Sequence, residues 1–450
     1  MNKRDEYLDS VCREVRFRAA RKYLRTELSA HIDDKEAYLE QSSAADAEAE
    51  AVKAMGDPVQ TGRALNVIHK PRVEWGVIVC VLLLCTAGLF TWQFGNTSGP
   101  GSEGEYWFWQ DFSSYLMPIV ISLALMGAVM FLDYTWLTKL RYVLFGAGLI
   151  YIAVYIVFES IDRYGATYFW FGHGWFGSTA AIVIPAILLI LGMAGFVSRH
   201  RQWRAGNIAL LLGLCIVSIL AMRLMSALYA VWLTTVYCAL IVAALASSPL
   251  SWARRWLTMT GCILVLSVTI ALGLELLRAG NHAVLETIVL SGVKTMLSSA
   301  QLIGPSPEFA QYGTLALDAS TTGFVLTTAI STYGWLFGIS VIAVFGGMLA
   351  LMFIRSLKTE HLFGRLLSVG VSAYFAIRFV LFVLMNLGLL EGLSVHLPFV
   401  SFGDFNHLTD AALVGVFLSV WRRSSFMPRD AAVSAADWPS KHAAPEQPIQ

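Results

Sequence analysis

Two kinds of hydrophobic pattern divide the chain. Up to about residue 72, apolar positions recur at helical spacing between charged ones: Leu8, Val11 and Val15, then Tyr23, Leu24, Leu28 and Ile32. This predicts amphipathic helices that bury one face. A third short helix is expected near Asp46–Met55, stopped by Gly56, and Asp57-Pro58 can open another. Beyond residue 72 the two-faced pattern gives way to long apolar runs, and about 20 such residues suffice to cross a bilayer. Ten runs qualify: 75–94, 113–132, 140–158, 179–198, 207–222, 225–247, 257–277, 323–354 (with a polar entry), 366–389 and 407–421. The expected fold is all-α: a polytopic membrane domain of about ten helices over 73–423, preceded by a small helical domain over 1–72 and followed by a disordered tail over 424–450.

Composition sharpens this division. Of the 450 residues 56% are hydrophobic and only 14% charged, with mean hydropathy +0.62; a soluble domain is typically about 25% charged. Residues 1–72 hold 26 of the 63 Asp, Glu, Lys and Arg, 13 of each sign. A soluble globular enzyme and a disordered chain are thereby excluded. The net charge of +1 offers no basic surface for nucleic acid. The six cysteines include no CxxC pair, so neither a metal centre nor a disulfide framework is indicated. Met1–Arg25 is dense in charge and has no apolar signal-peptide core, which predicts a cytoplasmic N-terminus.

Loop charge sets the expected orientation. With the N-terminus inside, the even-numbered connections carry ten Lys and Arg between Lys139 and Arg365, and the tail adds Arg422 and Arg423. The outer connections carry four: Arg163, Arg223, Arg278 and Lys294. That asymmetry places both termini in the cytoplasm. Extracytoplasmic chemistry then falls to the outer loops. Gly95–Phe112 and the aromatic Glu159–Ser178 are short, and the latter reads as an interfacial belt. The longest, 278–322, is of a length that usually signals function; within it Ala283–Ala300 has helical character and is expected to lie along the membrane surface.

The C-terminal hundred residues carry a more specific signal. "FGR" at Phe363–Arg365, "MNLG" at Met385–Gly388 and "LPFVSFGDF" from Leu397, in that order, resemble the FtsW/RodA/SpoVE (SEDS) family, whose members end in a pattern near LPFxSYGG. Weaker echoes are "SSAQLIG" (Ser298–Gly304) and "YGATYFWFGHGWFG" (Tyr164–Gly177). The head, with "MGDP" at Met55–Pro58 and "HKPR" at His69–Arg72, resembles the prefix domain that precedes some bacterial permease-like proteins. The SEDS resemblance implies a bacterial plasma-membrane protein of cell-wall synthesis, division or shape. The implied activity is peptidoglycan glycosyltransfer from lipid II, alongside a class B penicillin-binding protein or another divisome component.

That chemistry makes definite demands. An acceptor hydroxyl must lose a proton to a carboxylate base, and the departing undecaprenyl diphosphate needs cationic side chains or an accompanying divalent metal. The family's base lies in a segment reading roughly LPxxxTDFIxxxIxxxxG. Here Leu317–Gly334 reads "LDASTTGFVLTTAISTYG", so Thr322, Phe324 and Gly334 match while the aspartate position is Gly323. The expectation is weak or absent turnover, with Asp318 as candidate substitute base and Glu308 or Asp404 as further acids. Candidate substrate contacts are Lys294, Arg378, Asn386, His396 and Ser401. Arg378, mid-span, has two readings: a contact to lipid-linked diphosphate, or a buried pair with an acid such as Glu275 or Asp410. A third functional class, a flippase or permease for a lipid-linked precursor, is also compatible with the intramembrane arginine.

Overall fold

A computed structural model describes residues 3–41, 46–97, 105–162, 178–200, 205–247, 261, 265, 283–306, 323–390, 395–401 and 404–425. Among these, all regular structure is helical. The chain forms two compact units: Met1–Val73 with Thr359–Leu362 and the chain from Trp421 on, and Glu74–Lys358 with Phe363–Val420.

The first unit is built on α1 (Lys3–Glu14), α2 (Arg18–Gln41), α3 (Ala47–Ala54) and α4 (Pro58–Ile68). Its core is Tyr7, Leu8 and Val11 of α1, Leu28 and Ile32 of α2 and Ala51 of α3. The boundaries follow local chemistry. Asp46 caps α3 by accepting from Ala49 N–H (3.2 Å), and Gly56 at φ 83° lets the chain leave it. Asp57 then accepts from Val59 and Gln60 N–H to start α4 with Pro58 in its first turn. Gly62 lets α4 approach α1, because a Cβ there would lie 2.8 Å from the Val11 carbonyl.

The second unit is an all-α polytopic membrane domain. Its helices are α5 (Trp75–Thr97), α6 (Glu105–Phe131), the short α7 (Trp136–Lys139), α8 (Arg141–Asp162), α9 (Ser178–Arg199), α10 (Ala205–Met225), α11 (Ala227–Ala246), α12 (Ala283–Ser299), α13 (Val325–Tyr333), α14 (Trp335–Leu357), α15 (Leu362–Asn386) and α16 (Asp404–Arg423). Of these, α10, α11, α14 and α15 hold apolar stretches of full membrane-crossing length among the described residues, and α5, α6, α8 and α9 hold shorter ones. The expected span at 257–277 lies outside the described residues apart from two isolated helical positions.

Small residues set the helix contacts, as in other membrane bundles. A Cβ on Gly192 of α9 would lie 3.0 Å from the Phe145 backbone of α8, and one on Gly415 of α16 would lie 2.8 Å from the Met126 carbonyl of α6. At one end of α5 and α14 the nearly buried Glu74 pairs with Arg355 (2.8 Å), so that neither charge enters the apolar interior alone.

One expected span is corrected. The run 323–354 is not a single helix but breaks at Gly334 into the nine-residue α13 and the long α14. Gly334 has φ 97° and ψ 170°, a conformation that only glycine adopts readily. The adjoining segment Gln301–Ser306 packs so closely there that a Cβ would lie 2.5 Å from the Leu302 carbonyl. Hydropathy cannot detect such a break, because both pieces are apolar.

Gly334→Ala is expected to lower stability by about 3 kcal/mol or more, read as a large drop in melting temperature in detergent. Gly346→Ala on α14, where an added Cβ meets nothing within 4 Å, should melt like the wild type or higher.

Candidate functional site

The half-helix α13 presents a polar face in a fully buried setting: Thr327, Thr328, Ser331 and Thr332 are all buried. A broken helix inside a membrane domain leaves backbone groups at both ends that need partners. At the N-terminal end Asn386, the last residue of α15, supplies them. Its Oδ1 accepts from the Thr327 N–H (3.0 Å), its Nδ2 donates to the Gly323 carbonyl (3.0 Å) and to its own helix at Phe382 (3.0 Å), and its carbonyl accepts from the Thr327 hydroxyl (2.8 Å). At the C-terminal end the segment Gln301–Ser306 performs the same service. Ser306 N–H donates to the Ser331 carbonyl (2.7 Å) and Gly304 N–H to that of Tyr333 (3.0 Å), while Trp335 and Leu336 N–H donate to the carbonyls of Gln301 and Leu302.

Gly323 stands directly before this capped turn. It is buried and its φ is not in the left-handed region. A Cβ built on it would meet only the terminal methyl of Met385, at an ordinary 3.6 Å. The position therefore has room and backbone geometry for a side chain, yet carries none. An acid there would sit at the positive end of α13.

A second buried polar group lies between α15 and α16. Arg378 is 1% exposed and forms an ion pair with Asp410, also 1% exposed. Its guanidinium donates further to the Tyr374 hydroxyl (3.3 Å) and the His396 carbonyl (3.3 Å), and lies over the rings of Tyr374 (5.2 Å) and Trp232 (5.6 Å). Pairing and aromatic faces together offset the cost of burying the charge. The bond to His396 also anchors the turn that follows. There Ser401 Oγ accepts from Leu397 N–H (2.8 Å), Ser401 N–H donates to the Leu397 carbonyl (3.0 Å), and Phe399 takes φ 65°. His407 on α16 is buried and bonds the Ser401 backbone.

The sequence-named residues thus fall into distinct places. Asn386 and Gly323 are brought together at the entrance of α13. Arg378, His396 and Ser401 gather around the Leu397–Ser401 turn, and of the two readings of Arg378 the pair with Asp410 is formed in this conformation. Lys294 is exposed on α12. Asp318, Glu308 and Glu275 lie outside the described residues, and Asp404 opens α16. Sequence reasoning missed Thr327 as the partner of Asn386, and Tyr374 and Trp232 around Arg378. The spacing of Tyr374 and Arg378, four residues apart on one helix face, was the available signal. Among the described residues no three His, Cys, Asp or Glu come together to hold a metal ion.

Solved structures with this helix arrangement are found among peptidoglycan synthases. One comes from work on the structural coordination of polymerization and crosslinking by a peptidoglycan synthase complex; it aligns with TM-score 0.58 at 17% identity, over 78% of this chain and 98% of its own. The Thermus thermophilus rod shape determining protein RodA aligns with TM-score 0.52 at 17% identity, over 79% and 98%. The chain has the SEDS-type fold of RodA. A RodA variant with an Asp-to-Ala substitution aligns with TM-score 0.51, again at 17% identity. No family model and no curated protein matches the sequence.

Within this RodA-like fold the Arg378–Asp410 pair is open to direct test. Arg378→Met or Asp410→Leu alone should destabilise by about 3–5 kcal/mol, because each leaves a buried charge unpaired. The double variant should recover most of that loss, and a double-mutant cycle of unfolding in detergent measures the coupling.

Proposed function

We propose that this chain is a peptidoglycan-synthesis membrane protein that binds a lipid-linked precursor or a partner synthase without itself polymerising glycan efficiently. The carrying observation is Gly323: the scaffold that would hold a carboxylate at the head of α13 is intact, with Asn386 bonded to Gly323 and Thr327, but the side chain is missing. A glycine has no group that can accept the acceptor sugar's proton, and losing a general base costs about 10²–10⁴-fold in rate.

The likeness to a synthase complex that polymerises and crosslinks favours a transpeptidase of the class B penicillin-binding type, or another divisome component, as the partner. Lys294, exposed on α12, would meet the diphosphate of an undecaprenyl-linked precursor at the outer surface, while Arg378, His396 and Ser401 order the junction between α15 and α16. The loop charge asymmetry supports the bacterial cytoplasmic membrane with both termini inside. The prefix-like domain over 1–72 then serves as a cytoplasmic handle on a membrane domain over 73–423.

Purified protein in liposomes with fluorescent lipid II provides the test. Wild type should yield little or no glycan polymer, and Gly323→Asp should raise polymer formation by about 10²-fold or more. Efficient polymerisation by the wild type overturns the proposal; if Asp318→Ala then abolishes it, Asp318 is the base. Movement of labelled lipid across the bilayer without polymer would instead identify a flippase.

A further inference from the structure

Basic residues from distant parts of the sequence converge within the first compact unit. The N–H of Arg16 donates to the side-chain carbonyl of Asn66 (3.0 Å), which brings the bend between α1 and α2 against the end of α4. The N–H of Arg72 donates to the carbonyl of Arg422 (3.3 Å), and the Ser425 hydroxyl donates to the carbonyl of Lys70 (2.8 Å). The guanidinium of Arg422 lies over the ring of Phe17 (5.8 Å), and that of Arg72 over Trp421 (6.0 Å). Arg16, Arg18, Lys70, Arg72, Arg422 and Arg423 therefore share one region.

Several acids of this unit are paired with other basic residues. Arg63 holds Glu14, Arg25 holds Asp5 and Asp9, and Arg4 holds Asp33. Glu360, in the segment Thr359–Leu362 of the same unit, would offset at most one charge. Arg16, Arg18, Lys70 and Arg72 are exposed. Four exposed cations in one region are an electrostatic attraction for an anion.

In sequence the cluster adjoins two apolar helices. Arg72 precedes Trp75, the first residue of the apolar α5, by three positions, and Arg422 and Arg423 are the last residues of α16. Just before Lys70, Val67 and Ile68 at the end of α4 are 65% and 63% exposed. Exposed apolar side chains flanked by cations, a few residues before an apolar helix, have the composition of an interfacial anchor.

We propose that this cluster binds the phosphate headgroups of anionic phospholipid at the membrane face from which α5 and α16 emerge, with Val67 and Ile68 entering the headgroup layer. The site thereby couples the head to the lipid composition around it. Free phosphate shares the recognised chemistry, but only a lipid would use the apolar pair as well.

The test uses the full chain in phosphatidylcholine nanodiscs carrying trace spin-labelled phosphatidylglycerol or spin-labelled phosphatidylcholine. The motionally restricted fraction of each gives the lipid preference. Wild type should prefer phosphatidylglycerol, and the preference should fall with added salt. Each of Arg16→Gln, Arg18→Gln, Lys70→Gln and Arg72→Gln should weaken it by up to about fivefold, while Lys70→Arg and the off-cluster Arg25→Gln should retain it. Equal restriction of the two lipids by the wild type, or an undiminished preference in the four-fold variant, would overturn the proposal. Loss of the preference on adding inorganic phosphate, at an ionic strength matched with chloride, would reassign the cluster to free phosphate and overturn the lipid assignment.

Discussion

The structure of this protein turns on a single requirement: inside a membrane domain, every backbone N–H and C=O must find a partner within the protein. An unbroken helix meets it automatically. The break at Gly334 does not, and the surrounding chain is arranged to repair it. Asn386 closes one end of α13 and the segment Gln301–Ser306 closes the other. The half-helix can therefore be short, buried and polar-faced at once, and its entrance at Gly323 is held by bonds from a different helix. A position held in this way is suited to presenting a reactive group, since its backbone cannot drift.

The Arg378–Asp410 pair answers the same requirement for charge. Neither residue is tolerable alone when buried, and breaking the pair costs far more than the pair itself contributes to stability. It ties α15 to α16 in one register and, through the His396 carbonyl, holds the Leu397–Ser401 turn. Glu74 and Arg355 work differently. They sit at helix ends, where Glu74 is buried but the Arg355 side chain keeps about a third of its exposure, so they tie α5 to α14 at smaller desolvation cost.

At Gly323 the fold does not by itself supply an activity. The helix arrangement is that of RodA and the cap around α13 is complete, but a fold carries function only through the groups at its sites. At Gly323 the backbone has room for a Cβ and the residue carries none. Recognition of a ligand or a partner depends on groove shape and charge, whereas removal of a proton depends on a base.

The sequence alone determined what depends on local pattern. Hydropathy runs placed the apolar helices, Asp46, Gly56, Asp57 and Pro58 marked the ends of α3 and α4, and alignment of Leu317–Gly334 picked out Gly323. Only the tertiary structure decided which polar groups meet. Asn386 bonds residues 59 and 63 positions away, Arg378 chose Asp410 at a separation of 32, and Arg72 found the carbonyl of Arg422 near the opposite end of the chain. The physical reason is range. Helix formation and membrane insertion are set by neighbours within a few turns, whereas the partner of a buried polar group depends on which helices pack together, and no local pattern in the chain encodes that.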